Sequence, residues 1–293
     1  MKKLPDKIER VGLVANSSKP ASRAALEQAL TLLSSSGRIG VTDEKTALGA
    51  GLKCATFPDA TAVARNSDLL LVFGGDGTIL RAVRESEDAG TPILGINVGR
   101  LGFLTAVSLD DLVPALDRIW ANDYTLLPLP LLGATAQCGG KTIEMTALND
   151  VVIGHGAVSR VIELEVRVNG ESLTCYAGDG LIVCSPAGST AHSLAAGGPI
   201  IAPSAPVISI TPICPHALSS RPVIVGLDSV VEVKVLSEKM EIIVAADGQM
   251  CGRLDFGDTV TVRQDGAANL VHMGGWSFFE TVRRKLHWSG SSV

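Results

Sequence analysis

Near residue 125 the hydrophobic pattern of this chain changes period, and that change limits the fold more than any single motif does. Upstream, apolar residues come in short continuous runs: Val11–Ala15, Leu69–Phe73 and Pro92–Ile96. Such runs suit strands buried on both faces, as in a parallel sheet covered by helices. Between them lie stretches of helical character, Ala21–Ser34 and Leu109–Asn122. Downstream, every second residue is apolar. Ile162–Val168 reads Ile-Glu-Leu-Glu-Val-Arg-Val, and Val231–Val235 and Thr259–Arg263 alternate in the same way. Asn169-Gly170 sits between the first of these and Glu171–Tyr176. It signals a hairpin, because a type I′ turn needs φ > 0 at both central positions. The expected fold is therefore an α/β, Rossmann-like N-terminal domain plus a mainly antiparallel β-sandwich C-terminal domain. We place the first over residues 1–125 and the second over 126–272, with Tyr124–Pro130 as the crossing. Residues 273–293 form a tail expected to pack back on the N-terminal domain. Within the tail Phe278–Leu286 is a helix candidate, basic toward its C-terminus as the helix dipole favours.

Apolar residues make up 46% of the 293 and charged residues 19%, enough to build a substantial core and too apolar for disorder. The net charge of −5 attracts neither nucleic acid nor an anionic membrane. Positive charge for a polyanionic ligand must then be local or come from a metal ion. No apolar run approaches the roughly 20 residues of a membrane helix, and no apolar segment of a secretory signal follows Met1–Lys7. The six cysteines are scattered without a Cys-x-x-Cys pair. They read as reduced thiols and point to the cytoplasm.

Directly after the run Leu69–Phe73 comes Gly74-Gly75-Asp76-Gly77-Thr78, followed by the helix-like Ile79–Arg84. Asp76 thus falls in a strand-to-helix turn, where backbone N–H groups favour phosphate. The glycines permit φ > 0 and close approach to a ligand. A tight turn with an exposed Asp is the alternative. Four further segments gather polar chemistry. Gly95–Thr105 carries three glycines, Gly95, Gly99 and Gly102, after a strand. Asn149-Asp150 stands at a strand entrance and can bond vicinal hydroxyls or an adenine edge, or simply form an Asx turn. Gly178–Pro199 offers Asp179, a buried strand, and a loop of small residues and hydroxyls that lets a planar base lie against backbone. Asp247-Gly248-Gln249 reads by itself as a turn. A serine-hydrolase elbow, a zinc His pair and a Gly-x-x-x-x-Gly-Lys phosphate loop are all missing from the sequence.

Taken together, these segments resemble the NAD kinase family, which phosphorylates NAD on its adenosine ribose to give NADP. The likeness covers most of the chain and includes Pro215–Pro222 and the tail Arg283–Trp288. The opening turn alone is shared with diacylglycerol and sphingosine kinases. The resemblance implies a diacylglycerol-kinase-type α/β domain, NAD and ATP as substrates, with ATP as donor alone or alongside polyphosphate, and Mg²⁺ or another divalent ion as cofactor. It also implies self-association as a dimer or tetramer. Asp76 would face the ribose 2′-hydroxyl as base, and Gly77 would let the ligand approach. Asn149 and Asp150 would hold the adenosine. Asp179 would bind the nicotinamide amide, in its own subunit or from a neighbouring one. Thr190, Ala191, His192, Ser193, Leu194 and Ala195 would line the dinucleotide, and Gln249 would contact it. Arg81 and Arg160 are further candidates. The chain departs from the family pattern at Ala106, Asp150, Ala177, Ala187, His192 and Ala195. Those departures bear on how the dinucleotide is held more than on the reaction. A lipid kinase and a non-catalytic NAD(P) sensor are the rival readings.

Overall fold

The computed structural model describes residues 8–15, 20–86, 89–99, 102–156 and 160–288. Arg100 and Leu101 of the glycine loop and the two chain ends lie outside these residues. The chain divides into two compact units, 1–128 with 268–293, and 129–267.

The first unit begins β1 Arg10–Ala15, α1 Pro20–Ser35, β2 Ile39–Asp43, α2 Glu44–Ala50, β3 Ala55–Phe57, α3 Ala60–Arg65, β4 Leu69–Gly74 and α4 Asp76–Ser86. It continues with β5 Ile93–Asn97, the short β6 Val107–Ser108 and, after a 3₁₀ turn at Leu109–Asp111, α5 Leu112–Trp120. The main strands pair in parallel in the order β5-β4-β1-β2-β3. The order reverses between β1 and β4, as in a doubly wound fold. Every residue from Leu69 to Phe73 and from Ile93 to Asn97 is buried, which explains why these segments are apolar throughout rather than alternating. On one face, Leu26, Ala29 and Leu33 of α1 and Leu112, Leu116 and Ile119 of α5 share a core with Leu13, Leu71 and Phe73. α3 packs on α4, β1 and β2, and α4 packs on β4. Gly12 is tolerated in β1 because a Cβ there would strike Leu70 and Val63.

The second unit holds β7 Tyr124–Cys138 from Leu129 onward, β8 Lys141–Ala147, β9 Asp150–His155, β10 Ile162–Val168, β11 Glu171–Gly178 and β12 Gly180–Cys184. Then come a 3₁₀ turn, Ala187–Thr190, and the single-turn α6, His192–Ala195. The unit closes with β13 Val207–Ile213, β14 Val223–Gly226, β15 Val231–Val235, β16 Ile242–Ala246, β17 Gln249–Leu254 and β18 Thr259–Met273 up to Ala267. One sheet runs β14-β13-β12-β9-β16-β17, all antiparallel. Facing it, β11, β10, β15 and β18 pair antiparallel, and β7 pairs with β8. Alternate residues of both sheets, such as Leu164, Val166 and Val233 against Val151, Ile153 and Val183, fill one core. This is the expected sandwich. The Asn169-Gly170 turn has φ of +53° and +80°, as its hairpin requires.

Residues 268–288 belong to the first unit. They hold the end of β18, where Leu270 pairs with Ile93 of β5, and α7 Phe278–Leu286. Ser277 caps α7 by accepting from the Glu280 N–H, and Arg283, Arg284 and Lys285 occupy its last turn.

Candidate functional site

In the first unit Asp76 is the first residue of α4, immediately beyond the carboxyl end of the buried β4. Two backbone donors fix its carboxylate. The Phe103 N–H donates to Oδ2 at 2.8 Å and the Leu104 N–H to Oδ1 at 3.0 Å. The loop that supplies them is itself braced, because the Gly102 N–H donates to Thr105 Oγ1 and the Asn97 side chain both accepts from the Gly99 N–H and donates to its carbonyl. Gly102 has no room for a side chain, since a Cβ there would strike the carboxylate of Asp76.

The glycines of the turn use one of the two freedoms that glycine permits, close approach, and not the other. None of Gly74, Gly75 and Gly77 has positive φ. Gly74 is small because Thr78 lies against it, whereas the Cα hydrogens of Gly75 and Gly77 face open space. Their value is therefore clearance at a helix N-terminus and not a left-handed backbone. The N–H groups of the first turn of a helix lack intrahelical acceptors, so the open side of these glycines is also a source of donors. Arg81, one turn and a half further along α4, donates from Nη2 to the Ala15 carbonyl at 2.9 Å and approaches Glu85 at 3.7 Å.

The second unit gathers a different cluster. Asp150 opens β9, and Asn149 precedes it; both are buried. Their backbone is held from the turn between β16 and β17. Asp247 Oδ2 accepts from the Leu148 N–H at 2.9 Å, and Oδ1 accepts from the N–H groups of Asn149 at 2.7 Å and Asp150 at 3.3 Å. Asp247 and Gly248 adopt φ of +48° and +75°, which aims the Asp247 carboxylate back at residues 148–150. Asn149 Oδ1 is buried with no hydrogen-bond partner. The Asp150 carboxylate has none among the described residues either, and burial together with the neighbouring Asp247 charge pushes it up to about 7. Buried polar groups in proteins are nearly always satisfied, so the unmatched Asn149 Oδ1 beside this carboxylate points to a ligand.

Asp179 connects β11 to β12 and is partly exposed. The Cys214 thiol, on a residue with φ of +44°, donates to its carboxylate, and that bond with the Asp179 charge pushes the thiol up. The small-residue segment is not an open loop. Ala187–Thr190 is a buried 3₁₀ turn, and the close approach of Gly188 to the Asn149 carbonyl excludes a side chain there. Thr190 Oγ1 donates to the Ala187 carbonyl. In α6 Ser193 is buried with its hydroxyl against Thr211 at 3.0 Å, Leu194 is half-buried, and Ala191, His192 and Ala195 are exposed. Gln249 starts β17 and is exposed, as is Arg160. In sequence Asp247 reads only as a turn residue. Its signal was a carboxylate in a left-handed turn next to Gly248, but its partners lie almost a hundred residues away.

With this geometry in hand, comparisons give a consistent picture. The ATP-NAD kinase N-terminal domain model matches residues 11–124, and the ATP-NAD kinase C-terminal domain model matches residues 148–272. The chain is 42% identical over 286 residues to the NAD kinase of Moorella thermoacetica, covering 97% of this chain and 91% of that one. It is 37% identical to the NAD kinase of Geobacter sp. (strain M21), covering 96% and 99%. Among solved structures, it is similar to yeast NADH kinase complexed with NADH, with a TM-score of 0.89, 26% identity, and coverage of 98% and 89%. An NAD kinase from Archaeoglobus fulgidus in complex with ATP shares the fold, with a TM-score of 0.74, 24% identity, and coverage of 96% and 100%.

Proposed function

The chain belongs to the NAD kinase family and uses ATP to phosphorylate NAD to NADP, and from that premise we propose which residues carry the reaction. Asp76 faces the 2′-hydroxyl of the adenosine ribose of NAD. Supporting this is one observation above the others: its carboxylate is fixed by two backbone N–H groups beside two glycines that face open space. Each carboxylate oxygen can accept more than one hydrogen bond, so the pinned group can still receive the hydroxyl. A carboxylate is a weak base toward a sugar alcohol. Phosphoryl transfer tolerates that, because the transition state is loose and the proton leaves late. Asp76 orients the hydroxyl and takes its proton as the bond from the 2′-oxygen to the γ-phosphorus forms and the bond to the leaving ADP oxygen breaks.

Asn149 and Asp150 hold the adenosine, with the unmatched Asn149 Oδ1 accepting from it. Asp179 takes the nicotinamide amide, in its own subunit or from a neighbouring one. Thr190, Ala191, His192, Leu194, Ala195 and Gln249 line the dinucleotide. Ser193 supports them from beneath through Thr211. Arg81 and Arg160 complete the set, Gly77 gives clearance, and polyphosphate is an alternative donor.

The chain also fits a phosphate-borne metal ion. Among the described residues no three His, Cys, Asp or Glu side chains cluster as a metal cage. Mg²⁺ suits such a site, because it keeps several waters and takes only one or two carboxylates beside substrate phosphates. Asp76, the one carboxylate of its turn, is the protein group that would meet it. When bound, the ion supplies charge neutralisation on the donor phosphates.

The chain self-associates as a dimer or tetramer in this reading, supported by the exposed apolar Leu218, Ile224 and Met250 of the second unit. A strictly monomeric mass by light scattering would refute that part. A cytoplasmic location is supported by six unpaired cysteines. Incubation with NAD, ATP and Mg²⁺ tests the activity. NADP should accumulate with one ADP per NADP, whereas ligand binding without turnover would mark a sensor.

A further inference from the structure

The last turn of α7 holds three cations, and they are not placed alike. Arg283 and Arg284 are exposed, whereas Lys285 is half-buried. The helix dipole favours a cation at all three positions, so it does not account for the one that turns inward. Lys285 Nζ stands over the ring of Phe103, 5.8 Å from its centroid. An ammonium within about 6 Å of an aromatic centroid is attracted by the negative face of the ring. The apolar stem of a lysine can be buried behind such a contact.

Phe103 matters because of its other end. Its backbone N–H donates to Asp76 Oδ2 at 2.8 Å, and the next amide, of Leu104, holds Oδ1. Ring and amide belong to one residue, so a contact on the ring acts on the donor that fixes the carboxylate. The helix that supplies the contact is firmly seated in the same unit. Leu270, upstream of it, pairs with Ile93 of β5, and Trp276 packs against the buried His272 with ring centroids 4.0 Å apart. Ser277 caps the helix start and Val282 is buried. At the other end His287 turns left-handed, with φ of +54°, and its N–H donates to the Arg283 carbonyl. The backbone that carries Lys285 is therefore held on both sides.

Resting on the reading of Asp76 as the base, we propose that Lys285 is a positioning residue for phosphoryl transfer: its ammonium on the Phe103 ring ties α7 to the loop whose amides hold Asp76. Small displacements of a group beside the reacting atoms are costly in rate. A contact that keeps this loop in place thus acts on kcat and not on the affinity for either substrate.

Steady-state kinetics on four variants tests this. Lys285→Met keeps the stem and removes the charge. It should lower kcat about threefold to fivefold, the loss expected of one such contact, and leave KM for NAD and for ATP within about twofold. Lys285→Arg keeps a cation for the ring and should restore kcat. Phe103→Leu removes the ring and keeps the amide. In that background Lys285→Met should cost no further activity. An unchanged kcat in Lys285→Met overturns the proposal, as do equal losses with and without the ring. A KM for ATP that rises in both backgrounds also overturns it, because Lys285 would then meet the donor directly. Should Phe103→Leu not fold, the rescue by Lys285→Arg decides the matter, and a failed rescue overturns the proposal. Full turnover in Asp76→Asn would break the Asp76 reading and this proposal with it, whereas an unchanged Lys285→Met beside an inactive Asp76→Asn removes the proposal alone.

Discussion

Asp76 and Asp150 are both carboxylates set beside open or unsatisfied groups, yet the protein treats them in opposite ways. Asp76 has each oxygen bonded to a backbone N–H and lies at the start of a helix. Asp150 is buried with no bonding partner for its carboxylate among the described residues, next to a second carboxylate, Asp247, and is pushed up to about 7. Fixing a side chain with backbone donors determines its position, which is what a group near reacting atoms needs. Leaving a side chain unmatched in a dry site makes its protonation and its bonding depend on what arrives. The first arrangement suits chemistry and the second suits recognition.

The most damaging test of this contrast is Asp76→Asn. It keeps the shape but removes the proton acceptor, and it turns one oxygen into a donor that opposes a backbone N–H. Turnover should fall about 10³-fold, while NAD binding measured by calorimetry persists. Full activity would remove Asp76 from the chemistry. Gly102→Ala probes position without touching the carboxylate itself. The added Cβ displaces Asp76, and a misplacement of about 1 Å can cost about 10²-fold in kcat, with KM for NAD little changed. Equal effects on kcat and KM would mean that the loop, not the carboxylate, had moved.

In the second unit, Asp247→Ala leaves three backbone N–H groups without their acceptor. Stability should drop by about 1–3 kcal/mol in denaturant unfolding, and KM for NAD should rise about tenfold. An unaffected KM would show that residues 148–150 keep their shape without Asp247. The smallest effect is pH dependence. Asp150, at about 7 when folded and lower when unfolded, binds a proton in the folded state that the unfolded state has released. Its contribution to stability is therefore full at low pH and is lost as pH rises through about 7. Asp150→Asn should gain in Tm relative to wild type between pH 5 and 8. Its KM for NAD should lose the pH dependence near neutrality that wild type shows, an improvement toward high pH as the ionised carboxylate accepts from the ligand. A parallel pair of KM profiles would separate Asp150 from the dinucleotide.

Local signals carried much of this fold in the sequence. The all-apolar Leu69–Phe73 and the alternating Ile162–Val168 announced a two-sided and a one-sided strand because burial acts on each residue in turn. Asn169-Gly170 gave its hairpin because φ > 0 is a property of those residues alone. The place of Asp76 between a strand and a helix was legible for the same reason. What surrounds it was not. The amides of Phe103 and Leu104 are anonymous in sequence, since every residue but proline has one. Asp247 looked like a turn because its contacts with residues 148–150 join segments far apart in the chain. The small-residue segment, which reads as a loop, contains a 3₁₀ turn and a single helical turn, because Ala187, Ser189, Ser193 and Leu194 find buried or half-buried places against β12 and β13 that no local pattern reveals.

Gly102 and Asp76 occupy what is nearly a single space, and this makes their mutational histories interdependent. While Asp76 is present, any side chain at 102 is vetoed. Once Asp76 is shortened to alanine the veto lapses, so Gly102→Ala should cost the Asp76→Ala protein far less than it costs the wild type. The order in which the two changes occur would then determine whether an intermediate is a damaged enzyme or a dead one, and a reversion at 76 alone would recover only the damaged one until 102 had reverted too.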